Sequence, residues 1–432
     1  MKEVPGVLLL YHAPFAGRAS TIMEHVDAFG AYSAFPVSYV NTDLGFPRRL
    51  REFQFQAVVL HYSLFAPVGY YLDEAFLDYL ALHRNAYRIA FFQDEHHYCQ
   101  QRFAFLNDHS IDCVFTLIEP QHVSKVYGRY TQVPDVVYSL PGYVTTELEE
   151  MAARSSKPDH LREIDIGYRG RKLPAYMGRG GQEKFEIARE FHRRAAGRGL
   201  ALDIEAEETR RIYGDGWFAF LENCRAVLGV ESGVSIFDTD DAVRLAYERL
   251  IAERPDLDFE GVSAQILEPY ENVIPYRTIS PRHFEAAALG TCQILFEGSY
   301  SGLLRPMEHY IPLKKDFSNF EDVLLMFQDR ELRTRLVQQV RYDLIESGAY
   351  SYREFIKMFD LHLKAAGVHA DSTSFDRSII DTALQEGHRG RQLRRHLRHA
   401  RHREFPGRRL LKPLIKPLIT HYSDRRSGRR PG

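Results

Sequence analysis

Two carboxylates and two imidazoles lie together directly after an apolar run, in the segment Gln93-Asp94-Glu95-His96-His97. A carboxylate or an imidazole at such a place can act as a general base toward a hydroxyl group. We therefore predict that Asp94 and His96 contact the hydroxyl group of an acceptor substrate or act as the general base toward it. A capping role or a role in the core stays open for each. No metal site is predicted, because adjacent histidines point in different directions and no third ligand is evident.

A second group of residues combines arginines with glycines. Arg171 follows an apolar run, and Gly178-Arg179-Gly180-Gly181 precedes a segment with helical spacing. Glycines let the backbone approach a phosphate closely, and a helix N-terminus offers free N–H groups with a positive dipole end. We predict that Arg171, Arg179, Gly180 and Gly181 bind the phosphates of a ligand; a solvated arginine-rich loop is the alternative interpretation.

The elements that would position these residues follow a repeating pattern through the first 145 residues. Short apolar runs alternate with segments of helical spacing, which is typical of parallel strands covered on both faces. The pattern predicts a doubly wound α/β domain over residues 1–150. The expected strands are Val7–Tyr11, Val37–Val40, Ala57–Tyr62, Arg88–Phe92, Cys113–Leu117 and Asp135–Leu140.

The alternation restarts after a polar stretch over residues 151–163, which we interpret as a linker. It predicts a second Rossmann-like domain over residues 160–350, with a charged helical insertion over 240–268. A helix over 351–367 is expected to cross back to the first domain. Two such domains place the best ligand pocket between them, at the carboxyl ends of both sheets. Two histidines that follow first-domain strands, His12 and His61, are expected on its acceptor side.

Charge is distributed unevenly along the chain. Residues 386–432 hold 15 basic and 3 acidic residues, whereas residues 1–385 hold 41 and 55. The acidic body argues against nucleic acid as a partner. The basic tail suits an anionic membrane surface, contacted through residues 389–430. A solvated tail or an arm that docks on the acidic body is the alternative.

Several features bear on the compartment. The 4 cysteines lie far apart, which favours buried reduced thiols. The run Val7–Tyr11 is too short for a signal-peptide core, and no stretch approaches the ~20 apolar residues that span a bilayer. A cytoplasmic protein is expected, which the tail would hold at the inner face of the cell membrane.

One segment carries a family resemblance. Ser280-Pro-Arg-His-Phe-Glu-Ala-Ala-Ala-Leu-Gly290, followed by the apolar run Cys292–Phe296, resembles the donor-domain helix of group-one glycosyltransferases, in particular the spore-maturation-type transferases. The resemblance covers residues 160–366 well and the N-terminal half only in pattern. It implies a GT-B fold, with two Rossmann-like domains facing across a cleft. It also implies transfer of a hexosyl group from a nucleotide diphosphate sugar to a glycan or a lipid-linked acceptor in polysaccharide biosynthesis. By resemblance, the transfer retains the anomeric configuration and uses no metal or other cofactor; inversion is the alternative if Asp94 or His96 is a base.

The resemblance also implies roles for individual residues. Glu285 would accept hydrogen bonds from the ribose hydroxyls, with His283 beside it in the donor site. The family has a second Glu eight positions earlier, where this chain has Arg277. We therefore hypothesise that Glu231, with Ser232 and Gly233, orients the donor sugar or phosphate; a buried Glu paired with an arginine is equally open. A non-catalytic nucleotide-sugar-binding or assembly protein and a GT-B-fold epimerase or phosphorylase remain as rivals.

Overall fold

The computed structural model describes residues 2–14, 20–67, 69–154, 157–369 and 377–385. Its first sheet has six parallel strands in the order β2-β1-β3-β4-β5-β6. The strands are β1 (Lys2–Tyr11), β2 (Val37–Asn41), β3 (Phe53–Leu60), β4 (Tyr87–Phe91), β5 (Cys113–Thr116) and β6 (Asp135–Tyr138). The helices between and after them are α1 (Ser20–Tyr32), α2 (Glu74–Leu82), α3 (Cys99–Asp108), α4 (Pro120–Tyr130) and α5 (Thr146–Ala153).

The second sheet has five parallel strands in the order β13-β12-β9-β7-β8. They are β7 (Ile164–Arg169), β8 (Leu202–Glu205), β9 (Cys224–Gly229), β12 (Cys292–Phe296) and β13 (Ile311–Leu313). A short antiparallel pair, β10 (Ser232–Val234) and β11 (Tyr276–Thr278), stands beside it. The helices are α6 (Arg179–Ala195), α7 (Asp215–Asn223), α8 (Ala242–Glu253), α9 (Phe259–Val262), α10 (Pro281–Ala288), α11 (Phe320–Gln328), α12 (Arg330–Arg341) and α13 (Tyr352–Ala365).

Both faces of each sheet are buried. In β1, Leu8 and Leu10 enter one apolar core while Val7 and Leu9 enter another on the opposite face. In β12, Ile294 and Leu295 divide in the same way. Continuous apolar strands are required where helices cover both faces of a parallel sheet. The predicted fold class, α/β with two Rossmann-like doubly wound sheets, is confirmed.

Residues that follow the second sheet pack back onto the first. In α13, Phe355 and Phe359 lie in the core beside β1, β4 and β5. The segment between β10 and β11, residues 235–275, which we call the excursion, packs on the opposite face of the first sheet together with β11, since Phe237 and Tyr276 join the other core of that sheet. Segments from the second half of the chain therefore pack on both faces of the first sheet.

The element boundaries differ from the predicted ones in a few places. Helix α6 begins at Arg179, so that Gly180 and Gly181 lie in its first turn rather than in a preceding loop. Gly178 makes this early start possible, because its φ of 79° turns the chain directly into the helix. Helices α4 and α5 and the β10–β11 pair were not predicted.

No helix in the described ranges combines the length and the apolar character that crossing a bilayer requires. The predicted basic extension over 386–432, with its membrane contact over 389–430, lies outside the described residues.

Candidate functional site

A cavity of about 280 Å³ opens at the carboxyl ends of β7 and β9. Strand β8 lies on one side of β7, while β12 and β13 lie beyond β9, so the winding of the sheet reverses between β7 and β9. Open α/β sheets bind ligands at such a reversal. The loop after β7, the residues after β9 and the start of α10 line this switch-point cavity, and Asp94 reaches it from the first sheet.

Five lysine and arginine side chains line the switch-point cavity, against two acids, and these cations differ in their partners. Arg169 is paired with Asp203 at 2.8 Å, whereas the side chain of Arg171 has no polar partner among the described residues. Lys184 of α6 donates to the carbonyl of Gly233 at 3.3 Å. Arg282 donates to a backbone carbonyl and lies over the ring of Trp217. Arg171, Lys184 and Arg282 thus meet no carboxylate within ion-pair distance in the described structure.

The pKa of Lys184 reflects both its burial and the positive charge of the neighbouring arginines. Burial lowers its pKa to about 8, against the smaller opposite effect of Asp94. The positive charges of Arg171 and Arg282 lower the pKa further. An anion bound between these cations would offset both effects, because it stabilises the charged form of the lysine. A negatively charged ligand would therefore stabilise the charged form of Lys184 in this cavity.

A second cavity, of about 430 Å³, adjoins the first and is lined by the loops that follow β3 and β4. Aromatic rings form much of its wall: Tyr62, Phe65, Tyr70 and Tyr98. Asp94, Arg171 and Lys184 line this aromatic cavity and the switch-point cavity alike. Two ligands bound in the two cavities would meet at these three charged side chains.

The loop from Asp94 to Tyr98 has two unusual backbone positions. Asp94 has a φ of 51° and Tyr98 a φ of 55°, a region that is costly for a bulky residue such as tyrosine. Between them, His96 is 4% exposed, and neither ring nitrogen has a hydrogen-bond partner in the described structure. Burial holds the pKa of His96 well below its ordinary value, so the ring is neutral. A neutral imidazole on the aromatic cavity can accept one hydrogen bond and donate another.

Glu231 lines the switch-point cavity but is already engaged. One carboxylate oxygen accepts from the N–H groups of Ser299 and Tyr300, at 2.9 Å each. The other lies 3.6 Å from Arg277, which also donates to Glu183 at 2.8 Å. The alternative of a strand-end glutamate paired with an arginine matches these contacts, and the role of Glu231 in orienting the donor stays a prediction.

The two residues after Glu231 line different cavities. Ser232 lines the switch-point cavity, whereas Gly233 lines the aromatic one. Position 233 requires glycine, since its φ is 86° and an added Cβ would lie 1.9 Å from the carbonyl oxygen of Tyr276. This close approach holds the β10–β11 pair at the edge of both cavities.

Glu285 lies in the second turn of α10, behind the wall of the switch-point cavity. The indole of Trp217, a lining residue, donates to its carboxylate at 2.6 Å. Burial raises the pKa of Glu285, while the hydrogen bond from Trp217 and the charge of Arg282 lower it. Contact between Glu285 and a ribose remains a prediction.

The predicted phosphate-binding turn at the start of α6 lies outside both cavities, since Arg179, Gly180 and Gly181 line neither of them. Arg179 pairs with Glu260 at 2.9 Å, and its N–H donates to Glu271 at 2.7 Å. The N–H of Gly180 donates to Ser235 at 2.8 Å, and that of Gly181 to a backbone carbonyl. Side chains from the excursion thus occupy this helix end. Lys184, which the sequence analysis did not single out, is the α6 side chain that reaches the cavity; its place one turn after the glycines was the available signal.

Three predicted histidines contact other side chains of the protein. His12 stacks on Tyr71, and its Nδ1 lies 3.2 Å from the hydroxyl of Thr42. His61 is fully buried, with its ring nitrogens within 3.1 Å of Ser63 and His25. Neither His12 nor His61 lines either cavity. His283 does line the switch-point cavity, with its Nδ1 2.8 Å from Gln293.

Within the described residues, one group has the spacing of metal ligands: Glu308, His309 and Asp343. It lies away from both cavities. The guanidinium of Arg305 donates to Glu308 at 2.5 Å and to Asp343 at 3.1 Å, so a cation already occupies the group.

No protein-family model and no curated protein matches the sequence. Among solved structures, the chain is similar to an alpha-glucosyltransferase in complex with UDP-glucose and DNA, with 13% identity over 83% of this chain and 99% of that one, and a TM-score of 0.47. It is similar to HepE of Anabaena in complex with UDP, with 9% identity over 84% and 100% of the chains and a TM-score of 0.47. It is also similar to TarM, with 12% identity over 79% of this chain and a TM-score of 0.39.

The chain spans 57% and 51% of the length of two TarM structures. With every one of these identities below 25% and every TM-score below 0.5, we base the functional proposal on the residues of this chain.

Proposed function

We propose that the chain is a glycosyltransferase that takes a nucleotide diphosphate sugar in the switch-point cavity and an acceptor in the aromatic cavity. One observation carries the proposal: Asp94, Arg171 and Lys184 line both cavities, at the place where the two substrates would meet. A transfer reaction needs such a junction, because the reacting atoms of two bound molecules must come within contact distance.

The donor side fits a diphosphate. Arg171, Lys184 and Arg282 bring three cations to one wall without carboxylate partners, and guanidinium groups bind phosphate in bidentate fashion. When the glycosidic bond breaks, negative charge grows on the diphosphate leaving group, and fixed cations stabilise it. These side chains supply the charge neutralisation of the reaction, in keeping with the metal-independent transfer of a hexosyl group that the sequence resemblance implies.

The acceptor side fits a hydroxyl-bearing molecule with apolar faces, such as a sugar of a glycan or of a lipid-linked acceptor. The rings of Tyr62, Phe65 and Tyr70 offer flat apolar surfaces, and the neutral His96 offers unused hydrogen-bonding nitrogens. Asp94 is the acid at the junction, where it would contact the attacking hydroxyl. Retention of configuration, with attack on the leaving-group face of the donor, is the stereochemistry that the resemblance implies.

A thermal-shift series tests the donor assignment. UDP, GDP, dTDP and CDP are compared, with and without an attached sugar, on the full chain and on Arg171→Gln. Because a ligand that binds only the folded state raises its melting temperature, one base should stand out in the unaltered protein and lose its effect in the variant. No stabilisation by any nucleotide, or equal stabilisation of both proteins, contradicts the proposal.

One observation favours a second candidate, a nucleotide-sugar-binding protein without catalysis. The position of the family's other glutamate is Arg277, and this arginine is engaged by Glu183 and Glu231. The two candidates separate by turnover: a transferase releases nucleoside diphosphate in the presence of acceptor or, slowly, of water, whereas a binding protein returns the donor intact.

A further inference from the structure

A third cavity, of about 200 Å³, lies at the opposite end of the second sheet, where β7, β9 and β12 begin. We call it the rear pocket. Six of its lining residues are lysine or arginine, and one is an acid. The cations are Lys157, Arg162, Arg225, Arg330, Arg333 and Arg341.

Two of these arginines are already bound to other groups of the protein. Arg162 is 3% exposed and donates to the carbonyls of Cys224 and Leu289 and to the hydroxyl of Thr291, at 2.6 to 2.9 Å. Arg333 pairs with Asp159 at 2.9 Å and caps the end of α11. These contacts satisfy the carbonyls that helices leave unpaired at their C-terminal ends.

The two acids near the pocket are also ion-paired. Asp159, the acid on the lining, is bound by Arg333, and Asp165 is bound by Arg225. Lys157 donates to the neutral side chain of Asn223 at 2.7 Å. Arg330 is exposed, and within the described ranges its guanidinium has no hydrogen-bond or ion-pair partner. Lys157 and Arg330 therefore stand at the pocket with charge that no carboxylate of the described structure neutralises.

The geometry of α12 completes the pocket. Six of its residues line the pocket and follow the i, i+3, i+4, i+7 spacing of one helix face: Arg330, Arg333, Thr334, Val337, Gln338 and Arg341. That face combines three cations with the hydroxyl of Thr334 and the amide of Gln338. Several N–H donors with one hydroxyl, arranged around a small space, match the oxygens of a phosphoryl group.

We propose that the rear pocket binds a small phosphorylated anion, independently of the donor site. Arg330 and Lys157 supply the charge that attracts it, while Arg333 and Arg341, which donate to backbone carbonyls, line the pocket beside them. The phosphoryl group is the recognised chemistry; a soluble phosphate compound and the headgroup of a phospholipid are its two sources.

Titration calorimetry of the full chain with inorganic phosphate, at constant ionic strength in chloride, tests the proposal. Arg330→Gln should weaken phosphate binding about tenfold, the typical effect of losing a charge-assisted hydrogen bond. The matched control is Arg335→Gln, which removes the same charge from an exposed position of the same helix that does not line the pocket. Binding of a nucleoside diphosphate should be the same in both variants.

Two further arms make the result decisive. Lys184→Met, in the switch-point cavity, should leave the rear-pocket phosphate affinity unchanged. Vesicles containing phosphatidic acid, compared with phosphatidylcholine vesicles, identify the source: a defect of Arg330→Gln on vesicles but not with phosphate assigns a lipid headgroup. Equal behaviour of Arg330→Gln and Arg335→Gln in every arm, or phosphate binding that only Lys184→Met removes, overturns the proposal.

Discussion

The two ends of the second sheet are both rich in basic residues, yet the cations are used differently. At the carboxyl ends of the strands, Arg171 and Lys184 face a cavity without a carboxylate partner. At the amino ends, Arg162 and Arg333 donate to carbonyls at the ends of helices. In a parallel α/β sheet the helices begin at the carboxyl edge and end at the amino edge, so their negative ends face the rear. Most cations at the rear therefore stabilise the fold, with Lys157 and Arg330 as the exceptions, whereas Arg171 and Lys184 at the front remain available to a ligand.

The largest effect that this comparison predicts is on stability. Arg162→Met should lower the free energy of unfolding by about 3–5 kcal/mol, because it leaves several buried carbonyls unpaired. Arg171→Met, at the front, should change it by less than about 0.5 kcal/mol, as is usual for an exposed side chain without structural contacts. Urea denaturation followed by circular dichroism measures both. Comparable losses in the two variants would remove the distinction between the edges.

The next effect is on nucleotide affinity. Lys184→Met should weaken binding of the preferred nucleoside diphosphate about 10- to 100-fold, because a partly buried charge-assisted contact is lost. Lys172→Met is the control, since Lys172 is exposed beside Arg171 in the loop after β7 and lines neither cavity. Calorimetry gives both affinities, and a Lys184→Met protein that binds as tightly as the control would contradict a phosphate contact at this residue.

The pH dependence of nucleotide binding sharpens the same assignment. The pKa of Lys184 is lowered to about 8, so the empty protein loses this charge as the pH rises through 8. A bound diphosphate raises that pKa, and the complex keeps a proton that the free protein has lost. Affinity should thus fall above pH 8, by up to about tenfold per pH unit for one linked proton. Lys184→Arg keeps its charge and should abolish the slope between pH 8 and 9.5.

The smallest predicted effect concerns the residue behind the cavity wall. Trp217→Phe removes the indole N–H that donates a hydrogen bond to Glu285. This loss should raise the already elevated pKa of the carboxyl group further. If Glu285 binds the ribose, as the resemblance implies, nucleotide affinity at pH 7 should fall about threefold relative to the unaltered protein, and the ratio of the two affinities should narrow at pH 8. A Trp217→Phe protein with unchanged affinity at both pH values argues that Glu285 is structural.

The sequence predicted the sheets more completely than it predicted the site. Every expected strand of the first sheet is present, because apolar runs between turns are a local signal. Asp94 and Arg171 were likewise visible, since each follows a strand whose carboxyl end must face the cleft. Lys184 and Trp217 were missed because each lies on a helix, and only packing decides which helical side chains reach the cavity.

Other predicted site residues have a suitable residue type, but tertiary contacts hold their side chains outside the cavities. Arg179 has the residue type and the position of a phosphate ligand, yet Glu260 and Glu271 of the excursion bind it. His61 follows a strand as expected, yet it is buried against His25. Such partners are distant in sequence, so no local pattern announces them.

The sequence by itself determined the alternation of strands and helices, and with it two parallel sheets and the edge at which a ligand site is expected. Those features follow from apolar periodicity and chain direction, which are properties of short segments. Only the tertiary structure decided which charges stay free, because the partner of each buried cation comes from a helix end or an excursion far along the chain. Arg162 and Arg171 have the same side chain and lie nine positions apart, and their surroundings alone separate a fold-stabilising residue from a candidate ligand-binding one.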